Sequence, residues 1–566
     1  MNQRRVILAI SLMLIVAVLP GILFTPSADR RIATSADTGA VGEPPTSPAP
    51  PPATATPPST QPVGSSTAAL AAETVWVTSP LYRLGFTTRG AQLVSAELTH
   101  YRSFGSADAG QRVQLVPEGH QWLGERLLVG TDTLPLANLA FAADRRALTV
   151  LGGDTTLTFT APVGAGRVTR TFRFSATDYR FSVEGHVEGL GGTGAVLVVD
   201  LGQGLRSVEA DPQGDALEYA VVTKADKTRK TTFASLDSGE AAVLEGPFEW
   251  VAVKSKYFFV AVLAQAQNER PFAGAVMIGR ERVPARVGGL FGASTAELAM
   301  RAAVATALTL PGAGTFRFDV YVGPFEHQRL VRLGHGLDDA NPYGWSIFRP
   351  IIHPVSLVVV QVLFWMHDRL HLAYGWVLVI FGVIVRLLLW PLQARAMESQ
   401  MRMQAVQPLM QELQTRYKKE PEKLQREMLK LYKEHKVNPL GGCLPMLLPM
   451  PVLLALFFVF SNTIEFRGVP FLWLPDLSRH DPYYVIPILM GLSMFAVSKL
   501  GQRGLPPNPQ MKMLLYVMPA VLTFVFLRLA SGLNLYYAVQ NLISLPQQWQ
   551  ISQRRLGSPA RPPGKS

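Results

Sequence analysis

The sequence has little cysteine and little charge. Cys443 is the single cysteine among 566 residues, so neither an intramolecular disulfide nor a zinc site built from cysteines can form. Charged residues make up 17% of the chain, whereas a soluble domain carries about 25%. Hydrophobic residues account for 48%, and the mean hydropathy is +0.18. This composition argues against an ordinary soluble enzyme, and the net charge of +12 fits either nucleic-acid binding or the positive-inside bias of membrane loops.

Charge is absent from long runs at the amino terminus and in the last third of the chain. The first run, Val6 to Phe24, follows a short basic leader. It is either a cleaved signal peptide or an uncleaved anchor, and we predict an anchor over residues 1–25 because the run is longer than the usual apolar part of a signal peptide. Five more runs predict a second span at 373–395 and four further spans within 439–551, since a span needs about 20 mostly apolar residues.

The basic residues predict how these six spans are oriented. They are concentrated between the second and third spans, between the fourth and fifth, at Arg4 and Arg5, and in the tail of residues 552–566. Six spans place all of these regions on one side of the membrane, and basic loops mark the cytoplasmic side. We therefore predict a multi-pass membrane protein, with both termini in the cytoplasm and the long segment after the first span outside.

That long segment has two parts. Residues 26–72 are rich in Pro, Ser, Thr and Ala and nearly free of large apolar side chains, a composition typical of a disordered tether. Residues 73–340 alternate with period two, and they include a predicted hairpin with Phe172 and Phe174 before its turn and Tyr179 after it. The predicted fold class is a multi-span α-helical membrane protein of six spans with a large antiparallel β-sandwich outside the membrane.

The predicted sandwich contains none of the common catalytic motifs. It has no G-x-S-x-G, no H-E-x-x-H and no phosphate-binding glycine loop. Its histidines, His100, His120 and His186, are scattered and favour ordinary surface or core positions. A carbohydrate-binding protein with a membrane anchor is an alternative, but it would leave five spans unexplained. We expect no enzyme activity, no metal and no cofactor.

Residues 396–438 predict a helical hairpin that projects into the cytoplasm. Val406, Met410 and Leu413 recur at helical spacing, and Pro421 suits the start of a second helix. The charged surface of this hairpin is either simply solvated or a docking arm for the ribosome or the nascent chain. The basic tail is likewise either a topology signal or a ribosome contact through phosphates.

Residues 341–372 predict an amphipathic helix that lies flat at the outer interface of the membrane. The segment combines an apolar run with charged residues and histidines. His367 and His371 have the i, i+4 spacing of metal ligands, but they lack the nearby Glu of a zinc peptidase motif. We therefore expect no metal at this helix.

Arg386 is the only charge between Arg369 and Arg395, inside the second predicted span. It lies about 13 Å from Arg395 along a helix with a rise of about 1.5 Å per residue. Exposure to lipid at that depth would cost about 2.5–3.5 kcal/mol. Either the side chain reaches the cytoplasmic surface or a helix carbonyl, or it faces a wet cavity.

Polar residues on the later spans favour the wet cavity, because polar groups in lipid need partners. They are Thr523, Asn534, Gln540 and Asn541. Tyr536 and Tyr537 either line the cavity or anchor the helix at the interface, and we expect that these adjacent residues do not both face inward. The interiors of the five later spans contain no Asp or Glu. This argues against the alternative function, a transporter or channel with a polar intramembrane cavity.

Three stretches of the sequence carry a family resemblance. They are Asn438–Pro445, Asp481–Gly491 and Ser531–Tyr537. They closely resemble the YidC/Oxa/Albino family of membrane protein insertases, and the similarity extends over about residues 341–550. The outer segment and tether agree in size and placement with the Gram-negative form of the family. Arg528 departs from the family pattern, which has an apolar residue at this position.

The resemblance implies a fold, a function and a set of partners. The fold is five core helices around a water-filled groove that is open to the cytoplasm and to lipid, with a β-supersandwich in the periplasm. The function is to insert and help fold inner-membrane proteins, alone or with the Sec translocon, without a cofactor. The implied partners are nascent membrane proteins, the Sec translocon, the ribosome and the lipid bilayer, with no specific nucleic-acid sequence.

Arg386 aligns with the functional arginine of the groove. With the polar residues above, the expected substrate groove comprises Arg386, Thr523, Tyr537, Gln540 and Asn541.

Overall fold

The computed structural model describes residues 72–557, apart from 165, 190–194, 281, 290–291, 300, 311–313, 342, 345–347, 419, 436–449 and 504–508. The predicted anchor, all but the last residue of the predicted tether, and the last nine residues of the basic tail lie outside the described residues. The stretch Asn438–Pro445 also lies outside them.

The first half of the described chain is a β-sandwich, as the alternation predicts. A five-stranded sheet has the order β4-β3-β2-β1-β8, with β1 (Thr74–Thr78), β2 (Tyr82–Thr87), β3 (Leu93–Arg102), β4 (Arg112–Gln114) and β8 (Ala147–Thr149). A six-stranded sheet has the order β15-β18-β21-β12-β5-β6, with β5 (Gly124–Val129), β6 (Asp132–Leu134), β12 (Ala195–Gly202), β15 (Ala241–Phe248), β18 (Phe272–Gly279) and β21 (Ala302–Leu310).

The largest sheet has nine strands. Its order is β14-β13-β16-β17-β22-β11-β10-β9-β7, with β7 (Ala142–Ala143), β9 (Thr155–Val163), β10 (Gly166–Phe174), β11 (Arg180–Val187), β13 (Ala220–Lys224), β14 (Thr228–Thr232), β16 (Trp250–Lys254), β17 (Phe258–Leu263) and β22 (Thr315–Pro324). A separate pair joins β19 (Arg282–Gly289) to β20 (Gly292–Ala299). The described pairings are antiparallel except that of β1 with β8, which is parallel.

The predicted hairpin is confirmed. Strands β10 and β11 pair antiparallel, with Phe172 opposite Val183 and Phe174 opposite Phe181. These four side chains are buried, and the ring of Phe86 lies 4.8 Å from that of Phe172 between centroids. The alternation therefore reports a real layer of aromatic side chains that fills the space between two sheets.

The second half of the described chain is helical. The helices are α3 (Arg349–Leu370), α4 (Tyr374–Arg416), α5 (Pro421–Glu434), α6 (Met450–Asn462), α7 (Val485–Gly501), α8 (Pro509–Phe526) and α9 (Ser531–Gly557); two short helices, α1 (Pro212–Ala216) and α2 (His327–Leu333), accompany the sandwich. Helix α9 packs against α7, α4 and α6, while α8 packs against α7. The second half therefore forms a bundle around α9.

Helix α4 differs from its prediction in one respect. The second span and the first helix of the predicted hairpin form one continuous helix of 43 residues. This helix extends beyond the end of the hydrophobic run. The second helix of the hairpin begins at Pro421, as predicted. Val406 and Leu431 form the buried seam between the two arms.

Two described helices are long and apolar enough to cross a membrane. They are α3 and the part of α4 from Tyr374 to Gln393. Met450–Asn462, Val485–Gly501 and Leu515–Phe526 are apolar but shorter. Whether α3 lies flat at the outer interface stays a prediction, since its length alone also permits it to cross.

The loop before α7 shows what the first residue of the stretch Asp481–Gly491 does. The buried carboxylate of Asp481 accepts hydrogen bonds from the backbone N–H groups of Tyr483, at 3.0 Å, and Ile486, at 2.8 Å. It also accepts one from the indole N–H of Trp473, at 3.2 Å. A carboxylate at this position satisfies otherwise unpaired N–H groups at the start of the helix.

The sandwich and the helical bundle are joined by hydrogen-bonded side chains. The Nζ of Lys254, in β16, donates to Oδ1 of Asn341 at 3.0 Å. The Nδ2 of Asn341 donates in turn to the carbonyl of Asn462, at the end of α6, at 3.3 Å. Because Lys254 and Asn341 are buried, these bonds fix the sandwich against the end of a core helix.

Candidate functional site

A polar cavity lies inside the helical bundle. Its volume is about 160 Å³, and its lining comes from α4, α6, α7 and α9. The lining residues are Arg386, Gln393, Leu453, Val497, Tyr536, Tyr537, Gln540, Asn541, Ser544, Gln547 and Gln548. None of these is Asp or Glu, so Arg386 is the only formal charge among the described residues that line the cavity.

Arg386 is 8% exposed and sits in the second half of the hydrophobic part of α4. Its Nη2 donates a hydrogen bond of 2.5 Å to Oε1 of Gln547, on α9. Its Nε has no hydrogen-bond partner in the described part of the chain. A guanidinium has five N–H donors and prefers anionic acceptors, so this arginine retains capacity to bind a further acceptor.

Gln540 connects the cavity wall to the backbone of α4. Its Nε2 donates to the carbonyl of Gly382 at 2.7 Å. The Nδ2 of Asn541 and the Oε1 of Gln548 are buried without a hydrogen-bond partner among the described residues. Unpaired buried polar atoms are costly, so the cavity offers both a donor and an acceptor to water or to a polar segment of another chain.

The structure brings four of the five predicted groove residues together. Arg386, Tyr537, Gln540 and Asn541 line the cavity. Thr523 is not among the lining residues; its hydroxyl donates to the carbonyl of Pro519 on its own helix, at 2.6 Å. It instead faces α7, where a Cβ on Gly491 would lie 1.9 Å from the Thr523 hydroxyl oxygen.

The expectation that Tyr536 and Tyr537 do not both face inward is wrong. Both line the cavity. Tyr536 packs on Phe381 of α4, with ring centroids 5.9 Å apart, and Tyr537 packs on Phe526 at the end of α8, at 5.6 Å. Adjacent side chains on a helix diverge by about 100°, and the cavity is bounded by several helices, so two large rings reach its edge from different directions.

Sequence reasoning missed Gln393, Ser544, Gln547 and Gln548. Gln393 follows Arg386 by seven residues, and Gln547 follows Gln540 by the same interval, so each lies two turns further along the same helix face. That i, i+7 spacing is the signal that identifies Gln393 and Gln547. Asn534, predicted to line the cavity, is buried elsewhere and donates to the carbonyl of Phe526 at 2.9 Å.

The histidines of α3 take structural roles. The Nδ1 of His367 lies 2.7 Å from the carbonyl oxygen of Leu372, and its ring stacks on Tyr374 with centroids 4.0 Å apart. His371 ends the helix in a left-handed conformation. Among the described residues, no group of three or more His, Cys, Asp or Glu side chains is arranged to hold a metal ion.

Comparison with known proteins covers nearly the whole chain. The 60Kd inner membrane protein family matches residues 365–557, and the YidC periplasmic domain family matches residues 74–354. The curated membrane protein insertase YidC of Aromatoleum aromaticum is 30% identical over 568 residues, covering 98% of either chain. That of Cupriavidus metallidurans is 32% identical over 553 residues, covering 94% of this chain and 93% of the relative.

A solved structure of a YidC insertase is also similar to this chain. It is described as an active YidC insertase crystal structure with the first transmembrane domain resolved. The match has a TM-score of 0.34 and 18% sequence identity, and it covers 83% of this chain and 91% of that chain.

Proposed function

The chain belongs to the YidC family of membrane protein insertases, and on that premise we propose how its own residues carry out insertion. It acts on nascent membrane proteins in the bacterial inner membrane, and it combines a helical core with a periplasmic β-sandwich. We propose that the cavity around Arg386 is the groove that receives the hydrophilic segment of a substrate. The groove residues are Arg386, Tyr537, Gln540 and Asn541, with Thr523 at the neighbouring contact of α7 and α8.

The observation that carries this proposal is the environment of Arg386. The guanidinium is buried, and among the described residues its Nε has no partner while its Nη2 donates to a neutral amide. Such a group attracts anions and water, because the Coulomb energy of a charge is larger in surroundings of low dielectric constant. Acidic residues of an entering segment would therefore be drawn to Arg386, and the groove would stay hydrated while empty.

Polar side chains on both walls would shorten the apolar distance that the segment crosses. Within the described part of the chain, Nδ2 of Asn541 and Oε1 of Gln548 have no partner, so they offer one donor and one acceptor to the backbone of the segment and replace the water that the segment leaves. The hydrophobic span of the substrate then moves sideways into lipid. Burial of its apolar surface, worth about 25 cal/mol per Å², drives this step without nucleotide.

The topology that fits this function has six spans and two cytoplasmic termini. The hairpin of α4 and α5 then projects into the cytoplasm, where nascent chains arrive. The described arm α5 exposes Lys423, Arg426, Lys430 and Lys433, interspersed with the exposed acids Glu422 and Glu434. We propose that these cations and the basic tail contact the ribosome, and that the chain works alone or with the Sec translocon.

The decisive experiment replaces Arg386 in the full chain. Arg386→Ala should reduce insertion of a single-span substrate with a short acidic periplasmic tail by roughly tenfold or more, since a hydrogen bond from a charged group is worth about 1.5–3 kcal/mol. Arg386→Lys should be better tolerated because it keeps the charge. Crosslinkers placed at 386 and 541 should trap the substrate.

A matched control separates mechanism from stability. Arg528→Ala removes an exposed arginine just beyond the described end of α8, outside the cavity, and should leave insertion unchanged. Each variant is first shown to unfold at the temperature of the unmodified protein. Normal insertion by a stably folded Arg386→Ala variant would remove this arginine from the mechanism.

A further inference from the structure

A second cavity lies between α7 and α9, at the ends that the proposed topology places in the cytoplasmic leaflet. Its volume is about 500 Å³, within the range of about 300–1,000 Å³ that is usual for ligand pockets. It shares no lining residue with the polar groove. Leu500, Leu545 and Trp549 supply apolar walls, and Lys499 and Arg503 supply two cations.

The local sequence accounts for this cavity. Pro546 also lines it and lies inside α9. A proline has no N–H to donate to the carbonyl four residues earlier, and its ring needs space on that side of the helix. Leu542, at that earlier position, is 42% exposed. Leu545 and Pro546 thus form the α9 side of the cavity.

Both cations lie at the same side of the cavity. Lys499 and Arg503 are four residues apart on α7 and its immediate extension, so they lie on one face. Both are exposed, and none of the described residues that line the cavity is acidic. The sequence contains no Asp or Glu after Asp481, so no side chain of α7, α8 or α9 supplies a carboxylate to neutralise them.

The apolar walls distinguish a lipid from a free anion. Trp549 is 53% exposed, and tryptophan is enriched where hydrocarbon meets headgroups. Leu500 and Leu545 are half-buried. Inorganic phosphate would satisfy the two cations but leave this apolar surface in water, whereas a phospholipid covers both. Two cations without an acid also favour a headgroup with net negative charge over a zwitterion.

We propose that this cavity binds one phospholipid with an anionic headgroup from the cytoplasmic leaflet. The headgroup phosphate lies at Lys499 and Arg503, and the upper part of an acyl chain packs along Leu500, Leu545 and Trp549. The site is separate from the substrate groove but borders the same two helices. The choice of leaflet rests on the proposed topology, which cysteine labelling tests independently.

The test uses the tryptophan of the cavity as its reporter. The full chain in detergent is titrated with phosphatidylglycerol carrying brominated chains, and the quenching that is lost in a Trp549→Phe variant is assigned to this site. The double variant Lys499→Gln, Arg503→Gln should bind roughly twenty-five-fold more weakly, since each cation near a membrane surface contributes about a factor of five. The swap Lys499→Arg, Arg503→Lys should retain binding.

A charge-matched control and two competitors make the result specific. Arg146→Gln with Lys227→Gln removes two exposed cations from the sandwich and should leave quenching unchanged. Brominated phosphatidylcholine should quench Trp549 much less than phosphatidylglycerol, and inorganic phosphate should not displace the lipid. Equal quenching by the two lipids, displacement by phosphate, or unchanged binding in the folded glutamine variant would overturn the proposal. Retained lipid binding with a reversed topology would move the site to the outer leaflet and leave the cavity assignment intact.

Discussion

Arg467 and Glu209 form an ion pair of 2.8 Å that joins the loop after α6 to the sandwich. The arginine side chain is 3% exposed and the glutamate side chain 12%. Arg467 also donates to the carbonyl of Arg102 at 2.9 Å, and its guanidinium lies 4.3 Å from the ring centroid of Phe104. One core residue thus engages the sandwich through charge, backbone and an aromatic ring.

Arg467→Gln should destabilise the contact between sandwich and core, and more so at pH 8 than at pH 6. Burial raises the pKa of Glu209 to about 7 even with Arg467 beside it. Arg467 lowers the pKa of Glu209, so without it the pKa rises further and the carboxyl of the variant takes up a proton at pH 8, where that of the unmodified protein is ionised and paired. At pH 6 the carboxyl is already largely protonated in both proteins, so the loss should be about 1 kcal/mol larger at pH 8. Thermal unfolding and limited proteolysis at both pH values measure the difference.

Arg83→Gln is the matched control for this change. Arg83 pairs with Glu97 at 3.7 Å, and both side chains are partly exposed. A pair of this kind contributes about 0–1 kcal/mol. Similar losses in the two variants, or a loss at Arg467 that does not depend on pH, would show that the buried pair does not hold the sandwich.

Glu465→Gln should stabilise the protein at pH 8 and have little effect at pH 5. Burial raises the pKa of Glu465 to about 7, and the nearby carboxylate of Glu326 adds to the rise. A folded-state pKa above the ordinary value means that the folded protein holds an extra proton between about pH 4.5 and pH 7. The cost of the buried charge is therefore fully present above pH 7 and disappears as the pH falls to about 4.5.

The structure supports this choice of substitution. Oε1 of Glu465 accepts a hydrogen bond from the backbone N–H of His327 at 3.3 Å, which the glutamine oxygen can replace. Oε2 has no hydrogen-bond partner among the described residues. The melting temperature measured from pH 5 to pH 8 gives the result, with the exposed Glu269→Gln as control. A gain at pH 5 equal to that at pH 8 contradicts the titration.

Gly491→Ala should destabilise the contact between α7 and α8. The added Cβ would lie 1.9 Å from Oγ1 and 3.1 Å from Cβ of Thr523, and overpacking of this kind costs about 1–3 kcal/mol. Among the described residues, the Cβ of Gly501→Ala on the same helix would meet Oε1 of Gln548 alone, at 3.5 Å, so this variant should be neutral or stabilising by up to about 1 kcal/mol. Opposite signs in thermal unfolding are expected, and a stabilised Gly491→Ala variant would refute the packing.

Cysteine labelling should confirm the proposed topology. Replacing Cys443 with serine removes the only native thiol, after which Ser235→Cys and Lys418→Cys each supply one exposed thiol. A thiol reagent that does not cross the inner membrane, added from the periplasmic side, should label position 235 and not position 418. The reverse pattern would invert the assignment of both compartments.

The sandwich was predictable because its pattern is local. Phe172, Phe174 and Tyr179 alternate within a few residues, and period two is enough to find their strands. Tyr321 shows the limit: it lies on the opposite face of β22 from Phe318, yet both are fully buried. Tyr321 stacks on Phe259 at 4.6 Å between ring centroids. Its neighbour is distant in the sequence, so no local pattern reveals that this face is covered as well.

The groove was predictable only in part. Arg386 stands out because a charge in a hydrophobic run needs an explanation. Its partner Gln547 is 161 residues away, and the relative rotation of α4 and α9 decides which polar face meets the arginine. The spacing of polar residues along one helix does not predict how that helix is rotated relative to another. For the same reason Thr523, which is polar and in a span, was grouped with residues that the structure places elsewhere.

The absence of acidic residues beyond Asp481 has a consequence for how the protein responds to its surroundings. This part of the sequence also contains no histidine and no cysteine, so its side chains keep the same charge from about pH 5 to pH 9. By contrast, Glu209 and Glu465 have pKa values of about 7 and lie where the sandwich meets the loop after α6. Acidification of the periplasm therefore changes the protonation of that contact while the charge of α7, α8 and α9 stays constant.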